Sequence, residues 1–328
     1  MAKLSVITGG KGFVGYALVK ELVARNEKIR LLLRSDSPIF LGIPCDKVFG
    51  DICNPDDLEN TFEGADIVYH IAGLVDISGK KTEKLWKTNF EGTKNVVEAC
   101  KKCGVKKLVY VSSVDAIPVP ADENEQIVEV NHFDPELIEG DYGKTKAAAS
   151  QYVLDSADEN LEVFIVHPST CIGPDDFNET SSVLSMLKLF NKGVFSVNLD
   201  FGATNFIDIR DVAKGMIAAA EKGKSGECYI LSGYKMSMSD FMTTLCKIRN
   251  KRPPKITVKK EYIEKILPSI ENIFEMANMP PVLNEYSLRK LCENCNFSNE
   301  KARSELGFIP RPFEATLIDT LEWIKTRD

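Results

Sequence analysis

What this 328-residue sequence lacks narrows its reading first. It holds no apolar run near the ~18 residues that a membrane span requires. Its opening, "MAKLSVITGG", enters a strand pattern with no signal-peptide pattern before it. The chain therefore reads as cytoplasmic, with no membrane partner. Nor does it carry an excess of positive charge: Lys and Arg number 41 against 48 Asp and Glu, a net charge of −7. Nucleic acids and acidic membranes select clustered cations, so no nucleic-acid partner is expected. The densest basic run, "KIRNKRPPKITVKK", is broken by apolar residues and two prolines, and reads as a solvated helix end and loop. Low-complexity tracts and internal repeats are missing. The nine cysteines do not pair off, which suits a reducing compartment where thiols stay free. Two C-x-x-C spacings, Cys100 with Cys103 and Cys292 with Cys295, match zinc-ligand pairs, but they fall in unlike contexts and read as packed or surface thiols.

What is present is a rhythm. Through the first 170 residues, short β-branched runs such as "KLSVITG", "KIRLLL", "DIVYHIAG", "KKLVYVSS" and "LEVFIVHP" alternate with helical patterns near 13–25, 55–62, 82–103 and 142–158. Parallel strands need an intervening crossover, so this alternation predicts an α/β fold: a Rossmann-type doubly wound parallel sheet. After Pro168 the rhythm changes and prolines punctuate a mostly helical remainder. The expected organisation is a dinucleotide-binding domain over 1–170 that also receives 206–233. A smaller, mostly helical C-terminal substrate lobe is expected from 171–205 and 234–328.

Directly after the first strand comes "TGGKGFVGYALVKELV", with Gly9, Gly12 and Gly15 spaced G-x-x-G-x-x-G and Phe13 and Val14 opening the helix. Glycines there let the backbone approach a pyrophosphate, whose charge meets free N–H groups and the positive end of the helix dipole. The end of the second strand reads the adenosine ribose. An acidic residue there favours NAD, and an arginine meets the extra phosphate of NADP. Arg34 ends "RLLLR", with Asp36 two residues on, so NADP is favoured and NAD stays open. Asp51, with Ile52 beside it, follows the third strand where a carboxylate accepts the adenine amino group. Asp56 and Asp57 read as first-turn helix charges.

Three Tyr-x-x-x-Lys spacings occur: Tyr16 with Lys20, Tyr142 with Lys146, and Tyr286 with Lys290. On a helix this spacing aligns phenol and ammonium, so spacing alone does not choose among them. Only the second comes after a strand ending in Ser112 and Ser113. The set of T-G-x-x-G-x-x-G, a strand ending in Ser, and Y-x-x-x-K resembles the extended branch of the short-chain dehydrogenase/reductase superfamily. "FIDIRDVAKG" and the closing "FSNEKARSELGFIPRPFEATLIDTLEWI" are similar to its late segments. "YGKTKAAAS" and "VYHIAGLVDISG" are similar to its dihydroflavonol-reductase-like and 3β-hydroxysteroid-dehydrogenase-like members. The resemblance implies Tyr142 as acid/base, Lys146 as holder of the nicotinamide ribose, and Ser113, rather than Ser112, as the hydroxyl on the substrate oxygen. It implies that Ile71, Ala72 and Gly73 line the cofactor and that Pro168, in "HPSTCIGP", lies against the nicotinamide. Asn89 is expected to tie helix to strand, and His70 and His167 to be packed imidazoles. A phenol titrates near 10, and Lys146 with an oxidised nicotinamide would lower it. A fall of about two to three pH units corresponds to about 3–4 kcal/mol.

Departures from the resembled pattern narrow the reaction. Val114 and Asp115 follow Ser113 where 4,6-dehydratases carry Asp-Glu, and Thr204 and Asn205 stand where sugar-nucleotide epimerases place a diphosphate-holding Arg. The expected activity is thus NADP(H)-dependent interconversion of a carbonyl and a secondary alcohol on a small non-nucleotide substrate. A sugar epimerase and a dinucleotide-binding redox sensor without turnover remain the alternatives. The pocket is expected between the 74–80 loop, the 115–141 excursion with Ile117, His132 and Phe133, and the helical lobe, with Phe177, Phe195 and Phe206 as apolar surface. The helices at 82–103 and 142–158 offer a homodimer face.

Overall fold

Seven of the apolar runs assemble into one parallel sheet in the computed structural model, which describes residues 3–76, 82–177, 181–193, 197–276 and 284–327. In chain order the first half runs β1 (Leu4–Thr8), α1 (Phe13–Ala24), β2 (Lys28–Leu33), β3 (Asp46–Phe49), α2 (Pro55–Phe62) and β4 (Ile67–His70). It continues as α3 (Thr82–Leu85), α4 (Gly92–Lys102), β5 (Lys107–Val111), α5 (Asp141–Asp155) and β6 (Glu162–Pro168). The second half begins with β7 (Thr170–Ile172), α6 (Ser182–Asn191), β8 (Val197–Leu199), β9 (Ala203–Asp208), α7 (Ile209–Lys222) and β10 (Glu227–Leu231). β11 (Tyr234–Ser237), α8 (Met238–Ile248), β12 (Ile256–Val258), α9 (Lys260–Met276), α10 (Glu285–Cys292) and α11 (Phe313–Lys325) complete it. Among the described residues no helix is long and apolar enough to cross a membrane.

The strand order is β10-β6-β5-β4-β1-β2-β3, and every neighbouring pair is parallel. Order therefore reverses between β1 and β4, where Thr8 stands opposite His70. In a doubly wound sheet the crevice beyond such a switch point takes the ligand. Strand side chains alternate between two apolar layers. Val6, Leu108 and Ile165 pack into one, and Ile7, Val109 and Phe164 into the other, all fully buried. Each contributes about 1.5–3 kcal/mol on leaving water, which makes the sheet a rigid frame for whatever its strand ends carry.

The predicted helix over 82–103 has a change of register inside it: a π-helical turn, Trp86–Glu91, joins α3 to α4 and carries the buried Asn89. A second core gathers α6, α8 and α11 against the small sheet β11-β9-β7. Phe206 is stacked there between Phe241 and Phe313, with ring centroids 4.9 and 5.2 Å away. It is core, not pocket wall. Phe177 sits edge-on to Tyr16 and Trp323, and Phe195 lies outside the described residues. Ala302, Leu306 and Phe308, from the chain's last quarter, join the layer under α7, so the helical remainder also serves the main sheet.

The 115–141 excursion differs from expectation. Ile117 and Phe133 are buried, Phe133 stacks on His167, and His132 is exposed. The excursion instead seals an edge: Ile230 of β10 donates its N–H to the Glu129 carboxylate at 2.8 Å, and the Cys228 thiol bonds Val130 O.

Candidate active site

The glycine loop is built by close approach. Gly9 has φ +78°, and a Cβ on it would stand 2.5 Å from Ala72 N; one on Gly15 would stand 2.2 Å from Gly9 O. Any side chain at either position forces the backbone apart. Gly12 is different, since a Cβ there would meet only Gly9 O, at 3.4 Å. Its smallness leaves open space at the N-terminus of α1, where Gly12 is the N-cap and supplies no side-chain bond. The first-turn N–H groups thus face an uncluttered cradle, the arrangement a pyrophosphate requires. Ile71 N and Ala72 N both donate to Thr8 Oγ1, which locks the "IAG" turn over β1.

At the end of β2, Arg34 is exposed. Asp36 is engaged by Lys47 at 2.8 Å, and Lys11 bonds Ser35 Oγ at 3.1 Å, so two lysines gather in the loop after β2, while the Arg34 charge is felt at Cys53. Lys11 and Lys47 escaped the sequence reading because only the fold brings them to this loop. Asp51 Oδ1 accepts from Cys53 N, and the Asp51 N–H donates to Asp57, which gives Asp57 a turn-fixing role beyond its helix-end charge. Ile52 is buried against Gly92, so its side chain is core, and its carbonyl accepts from Asn95 at 3.1 Å.

Ser112 and Ser113 part company as alternate strand residues do. Ser112 Oγ donates to Ser150 Oγ of α5 at 2.7 Å, since Ser150 gives its own proton to Lys146 O. Ser113 Oγ accepts the Asp115 N–H at 3.1 Å and donates to the Asp115 carboxylate at 3.2 Å, which leaves a lone pair toward the cavity. His167 Nδ1 donates to Ser113 O at 2.8 Å and anchors that backbone; burial lowers this imidazole to about 4. Tyr142 is half-buried. Burial and then the Asp115 charge push the phenol above its ordinary value, and the Ser113 side chain pulls it partly back. Lys146, expected together with an oxidised nicotinamide to lower it, is not among the groups that act on it here.

The reason is where the ammonium sits. Lys146 Nζ donates to Val111 O at 2.7 Å and reaches the Tyr110 hydroxyl at 3.4 Å, and burial lowers it to about 7. It lies 3.5 Å from where a Cβ of Gly73 would be, directly under the "IAG" turn. Asn89, from the π turn, accepts Leu74 N and donates to Leu74 O and Thr145 Oγ1, tying that turn to α5. Beneath lies a buried polar chain. Thr93 donates to Asn89 O, so His70 Nε2 donates to Thr93 and Thr8 donates to His70 Nδ1. The imidazole is neutral, held near 3 by burial. Thr8 is the threonine of T-G-x-x-G-x-x-G, though the motif does not show its bond to His70; Tyr110 and Thr93 were marked by no sequence signal.

Ser113, Tyr142, Lys146, Gly73, Val14, Ile71 and Pro168 share the lining of one cavity of about 180 Å³ at the strand ends. The predicted trio and much of the predicted cofactor lining therefore meet at the switch point. Leu74 and Val75 add an apolar wall; the 77–80 part of the expected loop lies outside the described residues. Among the described residues no group of three or more His, Cys, Asp or Glu gathers as metal ligands.

Comparisons with known proteins agree with this geometry. Residues 5–232 match a family model described as the NAD dependent epimerase/dehydratase family. The chain is 31% identical over 333 residues, 99% of its length and 95% of the relative's, to a Synechocystis protein carrying the name dihydroflavonol 4-reductase. It is 27% identical over 329 residues, 98% of both chains, to sterol demethylase protein B of Methylococcus capsulatus. The solved structure of gox2253 superposes with a TM-score of 0.83 at 29% identity, covering 99% of this chain and 98% of that one.

Proposed function

Since this chain belongs to the NAD dependent epimerase/dehydratase family, as an extended short-chain dehydrogenase/reductase that works with NAD(P), we propose that it is an NADP(H)-dependent reductase of a non-nucleotide ketone. The observation that carries the reading is the Tyr142 phenol beside Ser113, with Lys146 fixed beneath the Gly73 turn, all on one cavity. The nicotinamide, when bound, supplies the hydride for the carbonyl carbon. The residues of the chain manage the proton. Tyr142, held in its protonated form by burial and by Asp115, gives its proton to the carbonyl oxygen as that oxygen gains charge. Ser113 turns its hydroxyl toward the same oxygen in competition with Asp115. Lys146, planted on Val111 O and the Tyr110 hydroxyl, keeps one N–H beneath the Gly73 turn, where it would hold the nicotinamide ribose.

The preference for NADP rests on the exposed Arg34 at the end of β2, and on Lys11 and Lys47 beside Asp36, a carboxylate already paired with lysine. The case against a sugar-nucleotide substrate rests on β9. Asn205 Oδ1 is used by Ser169 and Gly233 N, and the nearby Arg210 and Arg311 are paired with Asp208, Asp211 and Asp319. Neither guanidinium is left free for a diphosphate. A homodimer through α4 and α5 belongs to the same reading, with Trp86, Phe90 and Tyr152 forming a half-buried aromatic strip under Lys94. A cytoplasmic location also belongs to it.

The test is titration with NADPH and NADH, followed by a carbonyl panel with wild type and Tyr142→Phe. Consumption of NADPH by a ketone, lost by about 10²–10⁴-fold in the variant with NADPH affinity kept, supports the reading. Interconversion of epimeric sugars with no net change in nicotinamide absorbance would replace it with an epimerase. Tight binding without a rate on any substrate would replace it with a sensor.

A further inference from the structure

The third Tyr-x-x-x-Lys, on α10, is brought by the fold against the start of the helix that carries the first-choice pair. Gly140, with φ +80°, precedes α5, and a Cβ there would stand 2.6 Å from Tyr286 Cε2 and 3.3 Å from its hydroxyl. The Arg289 and Lys290 charges stand 5.7 and 5.9 Å from the Tyr286 ring centroid. Arg289 pairs with Glu139 at 3.4 Å; Lys290 pairs with Glu293 at 2.8 Å and reaches Asp115 at 3.8 Å. Asp115 is the carboxylate that accepts the Ser113 proton. One side chain thus bridges α10 and the Ser113 hydroxyl.

The Tyr286 hydroxyl is enclosed, yet it has no hydrogen-bond partner among the described residues. Leaving a buried hydroxyl unpaired costs about 1–3 kcal/mol, and such a group in a native protein calls for a partner. After burial, the Asp115 charge, with Glu293 and the Tyr142 phenol, raises its ionisation well above the ordinary value, so it keeps its proton and stands as a donor in the surroundings that it shares with Tyr142. Its neighbours there are already committed: Asp115 to Ser113 and Lys290, Lys290 to Glu293.

We propose that Tyr286 is a substrate-positioning residue, whose hydroxyl donates to a second oxygen of the substrate near the carbonyl served by Tyr142. The substrate class is then an oxygenated ketone, bearing a hydroxyl, ester or second carbonyl close to the reacting one. This assignment rests on the reading of Tyr142 as the proton donor. It also fits the charge pairs on both sides of the phenol, which hold α10 to Glu139 just before α5 and to Asp115 just after β5.

Matched ketones test it: ethyl 3-oxobutanoate against 2-hexanone, and 2-hydroxycyclohexanone against cyclohexanone, with NADPH and the full chain as wild type and Tyr286→Phe. In the variant the kcat/KM ratio of oxygenated to plain ketone should fall by about tenfold or more through KM. The plain-ketone rate and NADPH affinity should stay essentially as in wild type, and Tm should not fall, since the variant removes an unpaired buried hydroxyl. An unchanged ratio, or equal loss on both members of a pair, overturns the assignment and leaves the reductase reading standing. A wild type that binds NADPH and reduces no member of any pair overturns the reductase reading, and this assignment with it.

Discussion

Tyr16 with Lys20 on α1 and Tyr142 with Lys146 on α5 have the same spacing and opposite fates. On α1 the ammonium is exposed and paired with Asp175 at 2.7 Å, while the phenol packs on Phe40 and Phe177. On α5 the ammonium is buried against Val111 O and the phenol faces a cavity at the strand ends. Helical periodicity makes both pairs, and burial beside the C-terminal ends of β1, β4 and β5 makes one of them chemical. A motif acquires reactivity from the dielectric and the partners around it.

The sharpest break of this comparison is to remove each phenol in turn. Tyr142→Phe should cost about 10²–10⁴ in kcat/KM, and Tyr16→Phe less than about twofold, in steady-state ketone reduction. Equal effects would mean that the α5 pair holds no special place. The lysines come next. Lys146→Met should cost on the order of 10²-fold and Lys20→Met almost nothing. Because burial lowers Lys146 to about 7, its ammonium is present below that pH and lost above it. The kcat/KM of the free enzyme should therefore decline above about pH 7, and a profile flat to pH 9 contradicts this.

Burial also acts on stability. His70 and His167 are held near 3 and near 4, against an ordinary value of 6.5. Above about pH 6.5 both are neutral whether the chain is folded or not. As pH falls below that value the unfolded chain takes up protons first, so stability drains away by up to about 2.7 kcal/mol per pH unit until the folded-state values are approached. Urea unfolding at pH 7.0, 6.0 and 5.0 measures the slope, and His167→Asn should remove about half of it. The smallest effect belongs to the exposed cation at the end of β2. Arg34→Ser should weaken NADPH binding by about tenfold and leave NADH within about twofold, read by fluorescence titration.

These contrasts also show how far the chain could be read without its structure. The parallel sheet, the glycine loop and the choice of α5 over α1 were legible, because each depends on local periodicity and on the residues next to a strand's end. Ser113 was distinguishable from Ser112 by strand alternation, and the structure puts Ser112 on Ser150. What escaped depends on distant segments meeting. Asp115 gained a role only when its carboxylate was found on Ser113 with Lys290 behind it, 175 positions down the chain. Tyr110 and Thr93 looked like ordinary strand and helix residues, and the ammonium's burial places them under it. The burial of the phenol beside Asp115 is not legible in the sequence, where spacing brings Lys146 near while its head group binds Val111 O on β5. The 115–141 excursion was read as a wall because its aromatic and apolar residues do not reveal that they cover β10.

That cover has a consequence for the crowded cell. A strand at the border of a sheet is a template on which a second polypeptide can crystallise its own backbone. At β10 the Glu129 carboxylate occupies the Ile230 N–H, and at the far border β3 is only four residues long. A protein finished this way can accumulate to high concentration without seeding fibrils from its largest sheet.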